Sequence, residues 1–324
     1  MDWHQQMPPK QYLHDHPEFK ELILIVSNEL SIDPVLIEKD YWIMHCLYSL
    51  NKLGLKYELK GGTSLSKGYG IINRFSEDID IRIEPACAPF EVYEGKNHNK
   101  DKHSQSRKEF YDWLASDKLK IDGIIEITRD TEFDDEKYRS GGIRLYYEGH
   151  FEPLSDIKTG ILLEVGFDNV TPNQTVNISS WAFDHVNETI VDVINNTAVD
   201  VNCYAPEYTF VEKLQTISTK FRQQQAFKTD PILFLRHYYD IAQLLDLDAV
   251  NNFIGTDKYE SYKEERFRTG DIRKISENEA FIFSDSETYK LYESAFSKST
   301  DLYYSSQPTF DEIMNKIRSH IERL

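Results

Sequence analysis

Residues 59–83 read LKGGTSLSKGYGIINRFSEDIDIRI, and the rest of the chain is interpreted from this stretch. The pair Gly61–Gly62 lies between an extended segment and a predicted helix, where backbone N–H groups can approach a phosphate closely. Asp78 and Asp80 lie two residues apart in an alternating apolar and charged run, which predicts a strand with both carboxylates on one face. Carboxylates that close repel each other unless a cation lies between them. The stretch therefore predicts a phosphate cradle beside a metal site.

The length and net charge of the chain limit its domain number and its possible partners. The chain has 324 residues, 40% of them apolar, and a formal net charge of −18. This length predicts two domains, each with its own core. The negative charge repels nucleic acid overall, so an RNA partner would need a local basic patch.

Two segments are candidates for that patch, although solvated loop charge is the simpler interpretation of both. One is 96–108 (KNHNKDKHSQSRK) and the other is 263–274, where acidic residues dilute the basic ones. The basic residues of the first segment are Lys96, Lys100, Lys102, Arg107 and Lys108.

The N-terminus lacks the basic and then apolar order of a signal peptide, and no run of about 18 apolar residues occurs. We therefore expect a cytoplasmic protein without a membrane span.

Apolar periodicity and turn residues predict the elements. Helices are expected at 17–30 and, after the N-cap Asp33 and Pro34, from 34 to Gly54. The other predicted helices are 63–71, 106–119, 206–224, 231–247, 287–296 and 309–324, and the predicted strands are 57–60, 78–83, 123–128, 142–147 and 161–167. Residues 169–200 are expected to form turns and irregular strands.

This order predicts an α+β fold: a mixed sheet with flanking helices in domain 1–200, followed by a helical domain 201–324. Glu164 places one carboxylate in the otherwise apolar strand 161–167, which is unfavourable unless the carboxylate is paired or bound to a metal. It is therefore the natural third acidic ligand, the alternative being an edge-strand carboxylate that faces water.

Three carboxylates with phosphate oxygens suit Mg²⁺, and two such ions can neutralise a transferring phosphoryl group and activate a hydroxyl. Together, LKGGTSLSKGY, RFSEDIDIRI, Glu212-Lys213-Leu214, Arg236-His237-Tyr238-Tyr239-Asp240-Ile241 and Ile37-Glu38-Lys39-Asp40-Tyr41 resemble a known family. It is the nucleotidyltransferase superfamily, and within it the AbiEii/AbiGii-type toxins of abortive-infection and toxin–antitoxin systems, which include the MenT toxins. The resemblance covers roughly residues 37–245.

The resemblance implies a nucleotidyltransferase-like fold and a role for each matching residue. Nucleotide triphosphate would be held by Lys60, Gly61, Gly62, the hydroxyl of Thr63 or Ser64, and Lys213. Magnesium, expected as two ions, would be bound by Asp78, Asp80 and Glu164, and Glu164 could also accept the proton of the attacking hydroxyl. Asp240 matches a later essential acidic residue, and Arg74 and Ser76 would support the site. The site is expected in a cleft that the helical domain completes.

Two features depart from the family pattern. Fifteen residues separate Gly62 from Asp78, which is a long interval, and His237 stands where an aspartate is common, which leaves the role of Arg236 open. Each assignment also has a simpler alternative: the glycines form only a turn, the aspartates face water, and Asp240 pairs with Arg236 at i, i+4.

The function expected from this resemblance is transfer of NMP from NTP to an acceptor hydroxyl with release of pyrophosphate, as a toxin in phage defence. The acceptor could be RNA, such as a tRNA 3′ end, and a cognate antitoxin is an expected partner. The alternatives are a small-molecule or protein nucleotidyltransferase and a regulatory module that binds NTP without turnover.

Overall fold

The computed structural model of the chain describes residues 10–95, 97–154, 157–187, 193–298, 303–304 and 307–324. Two compact units are present: Met1–Gly68 with Phe75–Cys203, and Tyr69–Arg74 with Tyr204–Leu324. The short segment 69–74 thus groups with the C-terminal helices, although it lies inside the predicted first domain.

Two helices open the first unit. They are α1 (Phe19–Leu30) and α2 (Pro34–Lys52), close to the predicted bounds. Asp33 caps α2 as expected, because its carboxylate accepts a hydrogen bond from the N–H of Val35 at 2.9 Å.

A mixed sheet forms the centre of the first unit, which confirms the predicted fold class. Its order within the described residues is β3-β4-β5-β2-β1-β7-β6. The strands are β1 (Tyr57–Lys60), β2 (Asp78–Ile83), β3 (Ile124–Asp130), β4 (Ser140–Tyr147), β5 (Ile161–Gly166), β6 (Asn173–Ile178) and β7 (Ala198–Tyr204). The β2–β5 and β1–β7 pairs are parallel, whereas β1–β2, β3–β4 and β4–β5 are antiparallel.

The alternation in the sequence of the central strand β2 matches the burial of its two faces. Ile79, Ile81 and Ile83 are buried, whereas Asp78 and Asp80 are only half-buried on the other face. One face of the sheet therefore packs on the core at this point, and the other carries the carboxylates.

Two further helices of the first unit differ from the prediction at their ends, and a third was not predicted. Helix α3 (Gly61–Thr63) continues as a π-helical turn, Ser64–Gly68. Helix α4 (Asp101–Trp113) begins five residues before the predicted start, because its first turn is wholly polar and gives no apolar signal. Helix α5 (Trp181–Asn187) lies between β6 and β7, in the segment expected to be irregular.

The second unit is helical, as predicted. It contains α6 (Pro206–Phe227), α7 (Ile232–Leu244), α8 (Asp248–Phe253), α9 (Asp257–Arg266), α10 (Glu279–Ile282), α11 (Ser286–Phe296) and α12 (Phe310–His320). The sequence did not predict α8, α9 and α10, which are short and, for α9, mostly charged. Aromatic rings fill the core: the Tyr238 and Phe310 centroids are 5.5 Å apart, and those of Phe283 and Tyr292 are 5.1 Å apart.

Candidate active site

The glycine pair connects β1 to α3, and Gly61 is needed there for two reasons. Its φ is +72°, in the left-handed region that favours glycine. A Cβ atom at Gly61 would also lie 2.1 Å from Oδ2 of Asp80. The backbone of the turn is therefore in direct contact with one of the predicted metal ligands.

The hydroxyl groups after the glycines are buried and bound to the backbone. Thr63 donates its Oγ1–H to the carbonyl of Asp78 at 2.6 Å, and Ser64 donates its Oγ–H to the carbonyl of Gly61 at 3.0 Å. The Thr63 bond ties α3 to the first residue of β2, whereas the Ser64 bond stays within the turn. The hydrogen atoms of both hydroxyls are thus engaged, and contact of either hydroxyl with a triphosphate stays a prediction.

Strand register brings the charged residues into one row. Lys60 of β1 is the direct partner of Asp80 of β2 in the antiparallel pair, and Asp80 is the direct partner of Glu164 of β5 in the parallel pair. Directly opposed residues point to the same face of a sheet, and Asp78 shares that face because it lies two residues before Asp80. The structure therefore collects Lys60, Asp78, Asp80 and Glu164 on one half-buried face of three neighbouring strands.

Crowding of negative charge changes the acidity of this group. Burial, the charge of Asp80 and a hydrogen bond with Asp80 raise the pKa of Glu164 to about 7, while the nearby Lys60 opposes the shift. Asp78 raises it further. Such a site favours either a shared proton or a bound cation, because both remove the repulsion between the carboxylates.

The residues fit a divalent cation by the chemistry of their donors. Carboxylate oxygens from adjacent strands are the ligands that Mg²⁺ prefers, and such an ion commonly keeps several waters. In the part of the chain that the structure describes, however, no three His, Cys, Asp or Glu side chains are arranged to hold a metal ion as they stand. A hydrogen bond joins the carboxyl groups of Asp80 and Glu164, so metal binding would require these two groups to separate.

A second group of charged residues is buried within the second unit. Arg74 donates two hydrogen bonds to Asp240, from Nε to Oδ1 and from a terminal nitrogen to Oδ2, each at 2.7 Å. Lys213 donates to Oδ2 of the same carboxylate at 2.6 Å. The imidazole of His237 lies 3.5 Å from Nζ of Lys213. Asp240 thus binds Arg74 and Lys213, which replaces the i, i+4 pair with Arg236 that we considered.

Opposite charges stabilise the ionised form of Asp240. Burial opposes ionisation, but Arg74 and Lys213 hold the pKa of Asp240 well below its usual range. Burial lowers the pKa of Lys213, and burial with the charge of Lys213 lowers that of His237. Arg74 donates to Asp240, its expected support of the carboxylate site stays a prediction, and Ser76 is half-buried ahead of β2.

The basic segment 96–108 is only partly available to a ligand. Lys96 lies outside the described residues. Arg107 is fully buried, and its guanidinium donates to the carbonyls of Tyr93, His98 and Lys137. Lys100 and Lys102 are exposed at the start of α4. Arg107 therefore holds the loop before α4 in place, which sequence reasoning missed because a basic residue in a polar run suggests exposure.

The sequence model of the family described as "Nucleotidyl transferase AbiEii toxin, Type IV TA system" matches residues 42–316. The chain belongs to the AbiEii nucleotidyltransferase toxin family of toxin–antitoxin systems. This confirms the resemblance seen in the sequence and makes the chain a nucleotidyltransferase by family.

A solved structure resembles this chain at low sequence identity. It is MenT4, a nucleotidyltransferase toxin from Mycobacterium tuberculosis, with 14% sequence identity, 93% of this chain and 99% of that chain covered, and a TM-score of 0.39. A search of curated proteins found no match. Among the described residues, no helix is long and apolar enough to cross a membrane.

Proposed function

We propose that the chain is a divalent-cation-dependent nucleotidyltransferase that transfers NMP from NTP to an acceptor hydroxyl and releases pyrophosphate. The observation that carries this proposal is the direct pairing of Asp80 with Glu164 across two parallel strands, with Asp78 on the same face. Burial and the charge of Asp80 raise the pKa of Glu164 to about 7. The sheet would fold without this pair of adjacent carboxylates, so their presence points to a function.

Asp78, Asp80 and Glu164 would hold magnesium, with two ions expected. The bound metal would offset charge on the triphosphate and lower the pKa of the acceptor hydroxyl. Gly61 and Gly62 would bring backbone N–H groups to the triphosphate, and Lys60 would place its positive charge on the same face as the carboxylates. Glu164 would accept the proton of the attacking hydroxyl. The assignments of Lys213 to the triphosphate and of Asp240 to the reaction stay predictions.

For the acceptor, we propose RNA, and a free 3′ end in particular, because it needs few contacts on a chain with a net charge of −18. The family also supports a cognate antitoxin as a partner, and a role in phage defence is part of the same proposal.

Label transfer tests this function. The protein is incubated with each α-³²P-labelled NTP, Mg²⁺ and a total cell extract, and label is measured in the RNA, protein and small-molecule fractions. We expect label in RNA, lost with Asp80→Asn and retained with Glu126→Gln, which removes an exposed carboxylate from β3 of the same sheet.

Other outcomes identify the alternatives. Label in protein or in small molecules would replace RNA as the acceptor without changing the chemistry. Magnesium-dependent NTP binding without pyrophosphate release from any fraction would refute the enzymatic proposal and favour a regulatory module.

A further inference from the structure

Helix α2 carries three consecutive charged side chains that the fold buries. Glu38, Lys39 and Asp40 are 3%, 1% and 2% exposed. A buried charge is unfavourable unless a partner compensates it, so each of the three must have a specific contact. The partners of the middle residue, Lys39, come from the two segments that lead into β2 and β5.

Three hydrogen bonds connect these segments. Lys39 donates from Nζ to Oε2 of Glu77 at 3.2 Å and to the carbonyl of Lys158 at 2.5 Å. The same Oε2 atom accepts the N–H of Lys158 at 3.0 Å. Glu77 immediately precedes β2, and Lys158 lies three residues before β5. One ammonium and one carboxylate therefore join the starts of two parallel strands.

The position of Glu164 depends on the register of those strands. Asp80 faces Glu164 only while Asp78 is paired with Leu162. A slip of one residue would turn Glu164 to the opposite face of the sheet. The apolar pattern of β5 resists such a slip weakly, because Leu162, Leu163 and Val165 are buried on both of its faces. The alternation of β2 and the pairing of β5 with β4 hold these strands in part, and a contact that joins the start of β2 to the start of β5 adds to the register.

We propose that Lys39 and Glu77 are positioning residues that fix the register of β2 against β5 and thereby hold Asp80 beside Glu164 for divalent-cation binding. This inference rests on the proposed function of the carboxylates. Lys39 and Glu77 would act through the strands and need no contact with substrate. The motif Ile37–Tyr41, which marked the family in the sequence, thus gains a physical role in the site.

A merely stabilising role is the alternative, and Glu38 provides the matched control. It is the neighbour of Lys39 and is equally buried, and its carboxylate accepts hydrogen bonds from the backbone N–H of His150 at 3.1 Å and from its Nδ1 at 2.7 Å. His150 follows β4 and belongs to neither β2 nor β5. Glu38→Met therefore removes a buried, hydrogen-bonded carboxylate of the same helix without releasing the two strands.

The first measurement is Mn²⁺ binding, followed by the loss of the free-ion signal in electron paramagnetic resonance, without nucleotide or acceptor. We expect Lys39→Met to weaken Mn²⁺ binding by roughly 10- to 100-fold, as for other residues that orient metal ligands. Glu38→Met should bind Mn²⁺ like the wild type, and Asp80→Asn should lose binding. Wild-type binding by Asp80→Asn would refute the proposed function, whereas loss by Asp80→Asn with wild-type binding by Lys39→Met would refute only the positioning role.

The second measurement separates register from stability. Lys39→Met should lose hydrogen-exchange protection at the amides of β2 and β5, whereas Glu38→Met should lose it near His150. The double variant Lys39→Met/Glu77→Met removes both charges and should regain thermal stability, because no buried charge is left without its partner. Its Mn²⁺ binding should remain weak, since the contacts to Lys158 are absent. Wild-type Mn²⁺ affinity in the double variant would overturn the inference, and this variant decides the question if Lys39→Met fails to fold.

Discussion

Replacing Gly61 by alanine tests whether the position of the Asp80 carboxylate controls activity. The added Cβ would lie 2.1 Å from Oδ2 of Asp80, and contacts under 3.0 Å are essentially never seen for real Cβ atoms. The carboxylate must therefore move by about 1 Å, a displacement that can cost on the order of 100-fold in rate when it misplaces a reacting group. We expect kcat/KM for label transfer from α-³²P NTP to fall by roughly that factor.

Gly54→Ala is the matched control, because it reproduces the backbone strain without the collision. Gly54 has a φ of +69°, against +72° at Gly61, and a Cβ there would meet no atom within 4 Å. Both variants should lose about 1–2 kcal/mol of stability from the left-handed conformation, measured by urea unfolding. Activity should fall only in Gly61→Ala.

The two variants can also be compared in Mn²⁺ binding, which reports on the ligands directly. Weakened Mn²⁺ binding in Gly61→Ala would attribute the loss of rate to the displaced carboxylate. Equal kcat/KM in the two alanine variants would refute the reasoning, since Asp80 would then tolerate displacement and could not be a ligand of the reacting complex.

Three further predictions concern the contribution of buried charged and titratable side chains to stability. Arg107→Met should lower the free energy of unfolding by about 3 kcal/mol, because carbonyls that bind a charged donor lose it, whereas Lys100→Gln at an exposed position should change it by about 0.5 kcal/mol or less. Asp240→Asn should cost roughly 3–5 kcal/mol in urea unfolding, because Lys213 loses its buried counter-charge; an unchanged midpoint would contradict the ion-pair geometry. Burial, with the charge of a neighbouring histidine, lowers the pKa of His45 to about 4, so the unfolded chain binds a proton more readily and thermal stability should fall as the pH drops from about 6.5 to 4. His45→Gln should reduce the slope of that pH profile, part of which His14 retains because burial also lowers its pKa to about 4, and an equal slope in the variant would exclude His45 as a source.

The elements that the sequence predicted best are those with strong periodicity. Strands β1 and β2 have the predicted bounds, and the long helices α6 and α7 begin within one residue of the prediction. Helices α8 to α10 were missed because they are short, and β6 (Asn173–Ile178) was expected only as an irregular strand because it lies at the sheet edge with little apolar alternation.

The site was only partly predictable, for reasons that concern long-range contacts. Alternation in β2 is local and predicts that Asp78 and Asp80 share a face. The pairing of Asp80 with Glu164 depends on the order and register of strands more than 80 residues apart, which no local pattern encodes. The contacts of Lys39 with Glu77 and Lys158 were likewise invisible, since a charged triplet on a helix normally predicts a solvated face.

The acidic residues Asp80 and Asp240 lie in opposite electrostatic environments: Asp80 is beside a carboxylate, and Asp240 is between two cations. Asp80 lies beside Glu164, and burial with this like charge raises the pKa of Glu164, so the pair opposes folding in the absence of a ligand. Asp240 is buried between Arg74 and Lys213, and it stabilises the second unit whether or not a substrate is present. Residues that a fold tolerates at a cost are the ones that function explains best.

A loss of activity therefore means different things at the two positions. Asp80→Asn removes repulsion, so it should leave stability unchanged or slightly higher while it abolishes transfer, and that combination assigns a functional role. Asp240→Asn lowers stability, so inactivity alone could reflect unfolding of the second unit. A role for Asp240 in the reaction requires that transfer be lost at temperatures and urea concentrations where the variant is shown to be folded. If transfer persists under those conditions, Asp240 is a structural ion-pair residue of the second unit and not a catalytic group.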